Sequence, residues 1–437
     1  MGLSSRLLSA FQLMLMLCLL SQFGQSQDFT LRRATDLALT HSYSTGEAEA
    51  DILKSQANYR EARSFYIPQV SLGTSIGYAY GFPLSLEGSA PTIFNVSAQS
   101  GVYNPAQREF IRAAIADTQA SSSQSRDVRG RVILDVISSY IELNRWEREL
   151  PVLYSEQKLT KDMVRVMKER VQEGVDAHEE ETRTRLKAAQ ADYRVAQAEG
   201  SADILRHHLA ELTGVSPASI TTVASSIPPL PEIDKQAPDT DTTAESNDAV
   251  EAADLRAKSA ELRARGEHKA LYPTADFAVQ YGLISTTFTD YAQFFRPGSF
   301  TSQNVTFGLI LRLPILNDTQ RARAQAADAD ALRAQKQAQS AKAQVSRETL
   351  RLRDAVRELL AARDVAQIQY ELAQTQLQAA QARTQARTAT LRELQDASLQ
   401  AVQNSSALMD SDFEAERSQL QLMYETGELN TWSAGAK

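Results

Sequence analysis

The sequence contains a single cysteine, Cys18, among its 437 residues. One cysteine forms no intramolecular disulfide, so a small scaffold stapled by disulfides is excluded. Cys18 lies in an apolar stretch and is preceded by Leu17, whereas a small residue is expected before a lipoprotein cysteine. Lipidation of Cys18 is therefore an alternative that the sequence does not favour.

The chain also lacks an excess of basic residues and long apolar runs. It has 46 Lys and Arg against 54 Asp and Glu, a formal net charge of −8, which argues against a nucleic-acid binder. No segment after the N-terminal stretch approaches 18 apolar residues, so helical membrane spans are not expected, while short alternating membrane strands stay open. No nucleophile elbow, phosphate loop or spaced metal ligands are present, so we expect neither an enzyme nor a cofactor.

The N-terminus has the three parts of a secretory signal. Arg6 supplies the positive charge, residues 7–20 form an apolar segment, and Gly24-Gln25-Ser26 has the small-x-small pattern of a cleavage site. We predict that residues 1–26 are a signal peptide. An uncleaved anchor is the alternative, although the apolar segment is short for a membrane span.

Proline and glycine are absent between Ile315 and Thr384, where Ala, Gln, Leu, Arg and Lys dominate. This composition predicts one continuous helix of about 70 residues, roughly 105 Å long. Just before it, residues 304–313 alternate between apolar and polar side chains, a pattern typical of a half-buried strand. Pro314 ends that strand.

The same strand-to-helix unit occurs earlier in the chain. Asn95 and Pro105 correspond to Asn304 and Pro314, and both pairs are 209 residues apart (304 − 95 and 314 − 105). One long internal duplication is therefore predicted, with Pro105 and Pro314 at the two strand-to-helix junctions.

The predicted organisation follows from this duplication. A stripe formed by Val132, Val136, Tyr140 and Leu143 indicates a buried helix face, and Pro151 is expected to kink or interrupt that helix. After the signal peptide, the predicted segments are N-terminal helices (27–65), a first β-hairpin (66–105), a first long helical hairpin (106–214), a linker (215–248), a helix (249–271), a second β-hairpin (272–314), a second helical hairpin (315–428) and a polar tail (429–437).

The strands have large apolar residues on one face and small or polar residues on the other, as in residues 69–80. A soluble sandwich and a water-filled membrane barrel both produce this alternation. Four strands per chain cannot close a barrel, and an open edge does not persist in lipid. A trimer would supply twelve strands and would also give the narrow apolar stripes of the helices their neighbours.

At this level the sequence resembles the TolC family of outer-membrane efflux proteins, over essentially the whole mature chain. The resemblance is carried by the duplicated hairpin–helix pattern, by residues 313–323, and by Gly174, Ala188 and Ala191 followed by residues 209–214. It implies a mainly helical fold with membrane strands: a homotrimeric channel-tunnel, a shared 12-stranded barrel in the outer-membrane lipid, and a long antiparallel α-helical barrel in the periplasm. It also implies that the tunnel docks with a periplasmic adaptor protein and an inner-membrane pump.

The resemblance also places functional residues at the periplasmic tips of the helical hairpins. Glu393 and Asp396 match acidic positions that ring the aperture; the alternative is that they belong to an ordinary solvated helix face. Gly174 marks the first tip turn, and Asp176, Glu180 and Arg387 are candidates for a latch. Arg387 replaces the usual glycine and Thr384 an aromatic residue, which puts the family's own latch contacts in doubt.

The predicted function is the outer-membrane exit duct of a tripartite efflux or type I secretion system, gated at the tips. A periplasmic coiled-coil scaffold or adaptor is the alternative, although an adaptor would have one helical hairpin flanked by compact β domains. A passive porin is a third interpretation, but its barrel would use most of the chain. The cargo, the partner pump and the gating trigger are not encoded in any recognisable motif.

Overall fold

The computed structural model describes residues 29–74, 92–231, 247–284, 290–294, 297–299, 301–386, 388 and 391–435. The predicted signal peptide with Cys18, the end of the first predicted strand and Arg387 lie outside these residues. The chain divides into two compact units. We call Glu47–Val128 with Pro238–Glu348 the sheet unit, and Met1–Gly46, Arg129–Ala237 and Thr349–Lys437 the core unit.

The secondary structure confirms the duplication. Helix α1 (Leu31–His41) is followed by a first copy and then a second copy of one pattern, helix–strand–strand–helix–helix. The first copy is α2 (Tyr43–Ser64), β1 (Gln69–Gly73), β2 (Thr92–Tyr103), α3 (Pro105–Gln172) and α4 (His178–Thr213). The second copy is α5 (Asp248–Lys269), β3 (Thr274–Ile284), β4 (Gln303–Arg312), α6 (Asp318–Gln385) and α7 (Leu391–Glu425). Helices α2 and α5 have 22 residues each, and α3 and α6 have 68 residues each.

The four strands form one antiparallel sheet in the order β1-β2-β3-β4. Gly73, Asn95, Gly282 and Asn304 lie in one row across it. In this row each asparagine of the duplication lies beside glycine. The two glycines and the two asparagines are each 209 residues apart (282 − 73 and 304 − 95), so the strand register repeats the offset found in the sequence.

One face of the sheet is apolar and the other is small or polar, as the alternation predicted. The register places these apolar residues on one face: Val70, Leu72, Val96, Val279, Tyr281, Val305, Phe307 and Leu309. On the opposite face, Ser71 and Ser97 hydrogen-bond at 2.6 Å, and Gln280 Nε2 donates to Asn95 Oδ1 at 3.5 Å. The expected half-burial of residues 304–313 is wrong for the single chain, because every residue of β1 and β4 is exposed. The alternation therefore indicates that the two faces of the sheet contact different surroundings, one apolar and one polar, and that other parts of the same chain cover neither strand.

An asparagine caps the long helix after each hairpin. Asn104 Oδ1 accepts the backbone N–H groups of Ala106 and Gln107 at 3.1 Å, and Pro105 occupies the first helical position. In the second copy Asn317 Oδ1 accepts Gln320 N–H at 3.0 Å, so α6 begins at Asp318 and not at Ile315. The chain between Arg312 and Asp318 is therefore non-helical, and its side chains Ile315 and Leu316 are each 85% exposed.

The core unit contains the largest apolar cluster of the described residues. The predicted stripe of α3 is at its centre: Val136, Tyr140 and Leu143 are fully buried. The Tyr140 hydroxyl donates to the carbonyl of Phe29 and accepts the N–H of Val223, both at 2.7 Å.

Two predicted features of the core unit need correction. Residues 215–231 are not a free linker, because Ile220 is buried and two short 3₁₀ turns pack on the core. The predicted polar tail contains helix α8 (Leu429–Ala434), and Leu429 belongs to the core cluster. Apolar residues among turn formers carried the missed signal in both segments. Helix α3 runs through Pro151, so the alternative of a junction there is wrong, while the kink stays a prediction.

Candidate functional site: helix tips, sheet surface and a charged cavity

The first tip is a tight turn between α3 and α4. Gly174 has φ = +72°, a conformation that favours glycine, and Val175 N–H bonds back to the carbonyl of Arg170 at 2.9 Å. The Arg170 guanidinium hydrogen-bonds Asp176 and holds the pKa of that carboxyl below its usual value. The structure therefore places Asp176 in a contact within the first tip, where it stabilises the turn.

Two ion pairs join the starts of α4 and α7. Arg392 Nη2 lies 3.0 Å from Glu180 Oε2, and Lys187 Nζ donates to Asp396 Oδ1 at 2.7 Å. Arg183 adds a second cation to Glu180 at 3.3 Å, from within α4. The structure thus brings two of the predicted site residues, Glu180 and Asp396, into contacts that link the two helical hairpins.

Lys187 and Arg392 were not predicted as site residues, although the sequence contains a signal for both. On α4, Glu180 and Lys187 are seven residues apart and share a helix face; on α7, Arg392 and Asp396 are four apart. The order of charges is acidic then basic on α4, and basic then acidic on α7. When two parallel helices lie side by side, these opposite orders bring each acidic residue beside a basic residue of the other helix. The signal can be used only once the two helices are known to be neighbours.

Of the other residues predicted at the tips, the structure describes Glu393 and Thr384 but not Arg387. Glu393 is exposed near the start of α7, one residue after Arg392. Thr384 donates its hydroxyl to the carbonyl of Ala380 at 2.8 Å, a contact within α6. Arg387, proposed as a latch residue, lies outside the described residues.

A charged cavity of about 620 Å³ lies in the core unit. It is lined by α3, α6, α7 and the segment Pro228–Pro231, and its charged side chains are Arg145, Arg148, Arg363, Asp412 and Glu416. Arg145 forms an ion pair with Asp410 and stacks 3.9 Å from the centre of the Trp146 ring. No motif in the sequence marked this cluster, because its members come from three separate helices.

Burial dominates the electrostatics of the cavity carboxyls. It raises the pKa of the lining carboxyls Asp412 and Glu416, and of Asp410 that pairs with Arg145, above their ordinary values, more than the neighbouring arginines lower them. For Glu416 the nearby Asp412 raises the pKa further. These carboxyls therefore take up protons more readily than exposed ones.

The described residues contain neither a membrane-spanning helix nor a metal-binding cluster. In this part of the chain, none of the helices combines the length and apolarity needed to cross a bilayer. The same residues contain no group of three or more His, Cys, Asp or Glu side chains placed to hold a metal ion.

Comparison with known proteins supports the resemblance. Residues 34–215 match the family model of outer membrane efflux proteins. Protein CyaE of Bordetella pertussis is 25% identical over 202 residues, which cover 45% of this chain and 42% of CyaE. The chain thus aligns with less than half of that relative's length.

Solved structures extend the likeness to nearly the whole chain. CusC, whose structures concern transmembrane channel formation, superposes with a TM-score of 0.75 at 15% identity, covering 91% of this chain and 92% of CusC. The outer membrane protein VceC of Vibrio cholerae has a TM-score of 0.72 at 19% identity, and the superposition covers 91% of this chain and 96% of VceC. The predicted mainly helical fold class with a few strands is confirmed. The family model and VceC are both described as outer membrane proteins, which agrees with the predicted localisation. Residues 34–215 are thus similar to the outer membrane efflux proteins, and nine-tenths of the chain shares the fold of these solved structures, in agreement with the TolC-family resemblance.

Proposed function

We propose that this protein is the outer-membrane exit duct of a tripartite efflux or type I secretion system. Three copies pool their strands into a closed 12-stranded barrel, and a periplasmic adaptor and an inner-membrane pump deliver the cargo. Conduction is passive and depends on the adaptor and pump for direction.

The observation that carries this proposal is the two-faced sheet. Its apolar face is exposed in the chain: Leu72 is 69% exposed and Phe307 is 75% exposed. An apolar face of this kind in water would promote aggregation, whereas it suits contact with lipid. The opposite face is lined by serine, asparagine, glutamine, threonine and glycine, which suits a water-filled interior.

The ion pairs at the helix tips are the proposed gate. Glu180–Arg392 and Lys187–Asp396 tie the second hairpin to the first within each copy, which keeps the mouth narrow. Exposed ion pairs contribute about 0.2–1 kcal/mol each, so they bias an equilibrium between closed and open tips without locking it. Docking of an adaptor would need to supply only a similar free energy to open them.

The aperture charge follows from the same pairs. Three copies bring three Asp396 carboxylates to the mouth, each with Lys187 within 2.7 Å. The cation preference predicted from Glu393 and Asp396 is therefore partly offset by Lys187. Glu393, three residues before Asp396, adds a second carboxylate near the mouth in each copy.

The test combines location, mass and conductance. The full-length chain is expressed, membranes are fractionated, and the extracted species is weighed in mild detergent. A trimer from the outer membrane that conducts ions in planar bilayers supports the duct. A soluble periplasmic monomer contradicts it and favours the scaffold or adaptor alternative.

The gate is tested by charge exchange. Lys187→Glu alone should raise the conductance of the closed channel, since it sets two carboxylates against each other. Lys187→Glu combined with Asp396→Lys should restore the wild-type conductance, because the pair is rebuilt in the opposite order. A double variant that stays as open as the single variant would contradict the role of this pair.

A further inference from the structure

The buried face of α3 changes from apolar to polar beyond the core cluster. Val136, Tyr140 and Leu143 are fully buried in that cluster. Further along the same helix, the carboxylic acids Glu149 and Glu156 are only 4% and 1% exposed. Two helical turns separate them, so both side chains project from one side of α3. A buried carboxylate is costly unless a cation pairs with it, so the partners of these two residues decide their role.

The two carboxyls differ in their partners. Glu156 forms an ion pair with Arg194 of α4, so its charge is balanced inside the first hairpin. Glu149 Oε2 lies 4.0 Å from Arg145 Nη1 and accepts no hydrogen bond within the described part of the chain. The same Arg145 nitrogen pairs with Asp410 of α7. One guanidinium therefore serves two carboxyls, and Glu149 has the weaker contact.

We propose that Glu149 is a proton-binding switch between the two helical hairpins. With a proton bound, Glu149 is neutral, Arg145 balances Asp410 alone, and α7 docks firmly on α3. Without the proton, two carboxylates share one arginine in a largely buried contact, and the docking of α7 weakens. The switch rests on the proposed function, since α7 begins at the tip and carries the gate residues Arg392 and Asp396.

The surroundings of Glu149 favour its protonated form. Burial raises the pKa of the Glu149 carboxyl above its ordinary value, and the negative charge of Asp410 raises it further. Three groups oppose the rise: the Ser406 hydroxyl on α7, the Arg145 guanidinium on α3 and the Arg194 guanidinium on α4. A carboxyl with a raised pKa binds its proton more tightly in the docked state. Docking is therefore favoured at low pH, and this contribution is lost as pH rises through the raised pKa.

Exposure decides which of the competing carboxyls takes the proton. The side chain of Glu149 is 6% exposed, whereas that of Asp410 is 58% exposed. Water solvates the exposed carboxylate of Asp410, but the buried carboxylate of Glu149 loses this hydration, so the proton goes to Glu149. Protonation of Glu156 does not reach α7 in this way, because its partner Arg194 lies within the first hairpin.

The switch is placed to act on the tip through α7. Asp410 lies 14 residues beyond Asp396 on this helix (410 − 396), which is about 21 Å along its axis. A weaker contact at Asp410 lets the start of α7 move, and this movement strains the tip pairs Glu180–Arg392 and Lys187–Asp396. We therefore expect the closed channel to be tightest at low pH and to conduct more as the pH rises.

The test compares the closed-channel conductance of wild type, Glu149→Gln and Asp162→Asn at pH 5 and pH 7.5. Glutamine keeps the shape of a protonated glutamic acid and does not ionise. Asp162 is the matched control, because it lies on the same helix and its side chain is 51% exposed. A pKa difference of one unit between docked and undocked states changes the docking equilibrium tenfold, so the wild-type conductance should rise at least about threefold.

Glu149→Gln should keep the low conductance of pH 5 at both pH values, and Asp162→Asn should behave like wild type. Glu149→Met, a second neutral side chain of similar length, should match Glu149→Gln. A wild type without the rise, or a neutral variant that keeps the full rise, would overturn the switch. Loss of the rise in Asp162→Asn would also overturn it, because exposed carboxyls would then carry the pH dependence.

A distance measurement separates the switch from the proposed function. Spin labels are placed on Lys158→Cys of α3 and Gln403→Cys of α7, two exposed positions, and labelled chains are diluted with unlabelled ones. The distance between the labels should lengthen from pH 5 to pH 7.5, and Glu149→Gln should abolish this change. A conducting trimer with unchanged distances would keep the duct and overturn the switch. A pH-dependent distance in a protein that does not conduct would support the switch and contradict the duct.

Discussion

The two copies share one plan of helices and strands but differ in what they bury. In α3 the side chains of Val136, Ile137 and Tyr140 are fully buried. The equivalent positions in α6 lie 213 residues later (385 − 172, from the last residues of the two helices). There Val136 corresponds to Thr349, which is also fully buried. Ile137, however, corresponds to Leu350, which is 53% exposed, and Tyr140 corresponds to Arg353.

The difference comes from segments outside the duplication. Helix α1, residues 215–231 and α8 all pack in the cluster that covers the stripe of α3. Helix α6 instead leaves several large apolar side chains exposed: Leu332, Leu350, Val365, Ile368 and Leu372. The extra segments therefore cover the stripe of α3, whereas α6 buries a smaller cluster, Leu352 and Val356 with Leu422, and keeps other apolar side chains on its surface.

The largest expected effect is at the matched positions of the two long helices. Ile137→Ala should lower the free energy of unfolding by about 2–5 kcal/mol, since it leaves a cavity in a packed core. In the dissociated chain Leu350→Ala should cost less than about 1 kcal/mol, because this side chain is half in solvent there. Thermal unfolding of the protein in detergent that dissociates its copies measures both losses, and equal losses would contradict the unequal burial.

A second effect is expected at the uncovered face of α6. Replacing Ile368 and Leu372 by serine should leave the helical circular dichroism of the chain unchanged and weaken the trimer, by about 1.5–3 kcal/mol for each side chain that a neighbour buries. The readout is the detergent concentration or temperature at which the trimer dissociates. Gln376→Ser, an exposed polar position of the same helix, is the control. Unaltered trimer stability would show that neighbours leave this face uncovered.

The tips allow a smaller, matched comparison. Arg392 pairs with Glu180 across the tips, whereas Glu179, its equivalent in the first copy (392 − 213), pairs with Arg183 inside α4. Arg392→Gln should raise the closed-channel conductance by at most about fivefold, as expected for an exposed ion pair. Glu179→Gln should leave the conductance as it is. The idea fails if both variants behave alike in single-channel recordings.

The smallest effect concerns pH and the charged cavity. Burial raises the pKa of Glu416 above its unfolded value, so its proton binding favours the folded state at low pH, and this contribution is lost as pH rises through the raised pKa. Glu416→Gln should therefore raise the thermal midpoint at pH 7 by a few degrees, and less at pH 5. Asp203→Asn is the control, since Asp203 occupies the equivalent position (416 − 213) and is 71% exposed. A gain that is equal at both pH values would point to packing instead of protonation.

Much of the fold could be predicted because its signals are local or repeated. The 209-residue offset predicted two copies of a hairpin followed by a long helix, and the stripe of α3 predicted the buried face at the centre of the core. The docking of residues 215–231 was missed because its few apolar residues, Val215, Ile220, Ile227 and Leu230, are scattered without a period among turn formers. The partner of Asp396 was missed because Lys187 meets it only through the packing of two helices that are distant in sequence. Contacts between side chains of helices that are distant in sequence leave no periodic pattern in the sequence.

The open edges of the sheet also make a single, unassembled chain prone to aggregation. Among the described residues β1 is paired only with β2 and β4 only with β3, so each copy displays two open strand edges beside an apolar face, the combination that drives aggregation. In the proposed trimer, closure needs encounters between three chains, so it slows steeply as chains become scarce. A cell that makes this protein slowly therefore needs a chaperone for the unassembled chain more than a cell that makes it quickly. The chain is most prone to aggregation between its secretion and the closure of the ring.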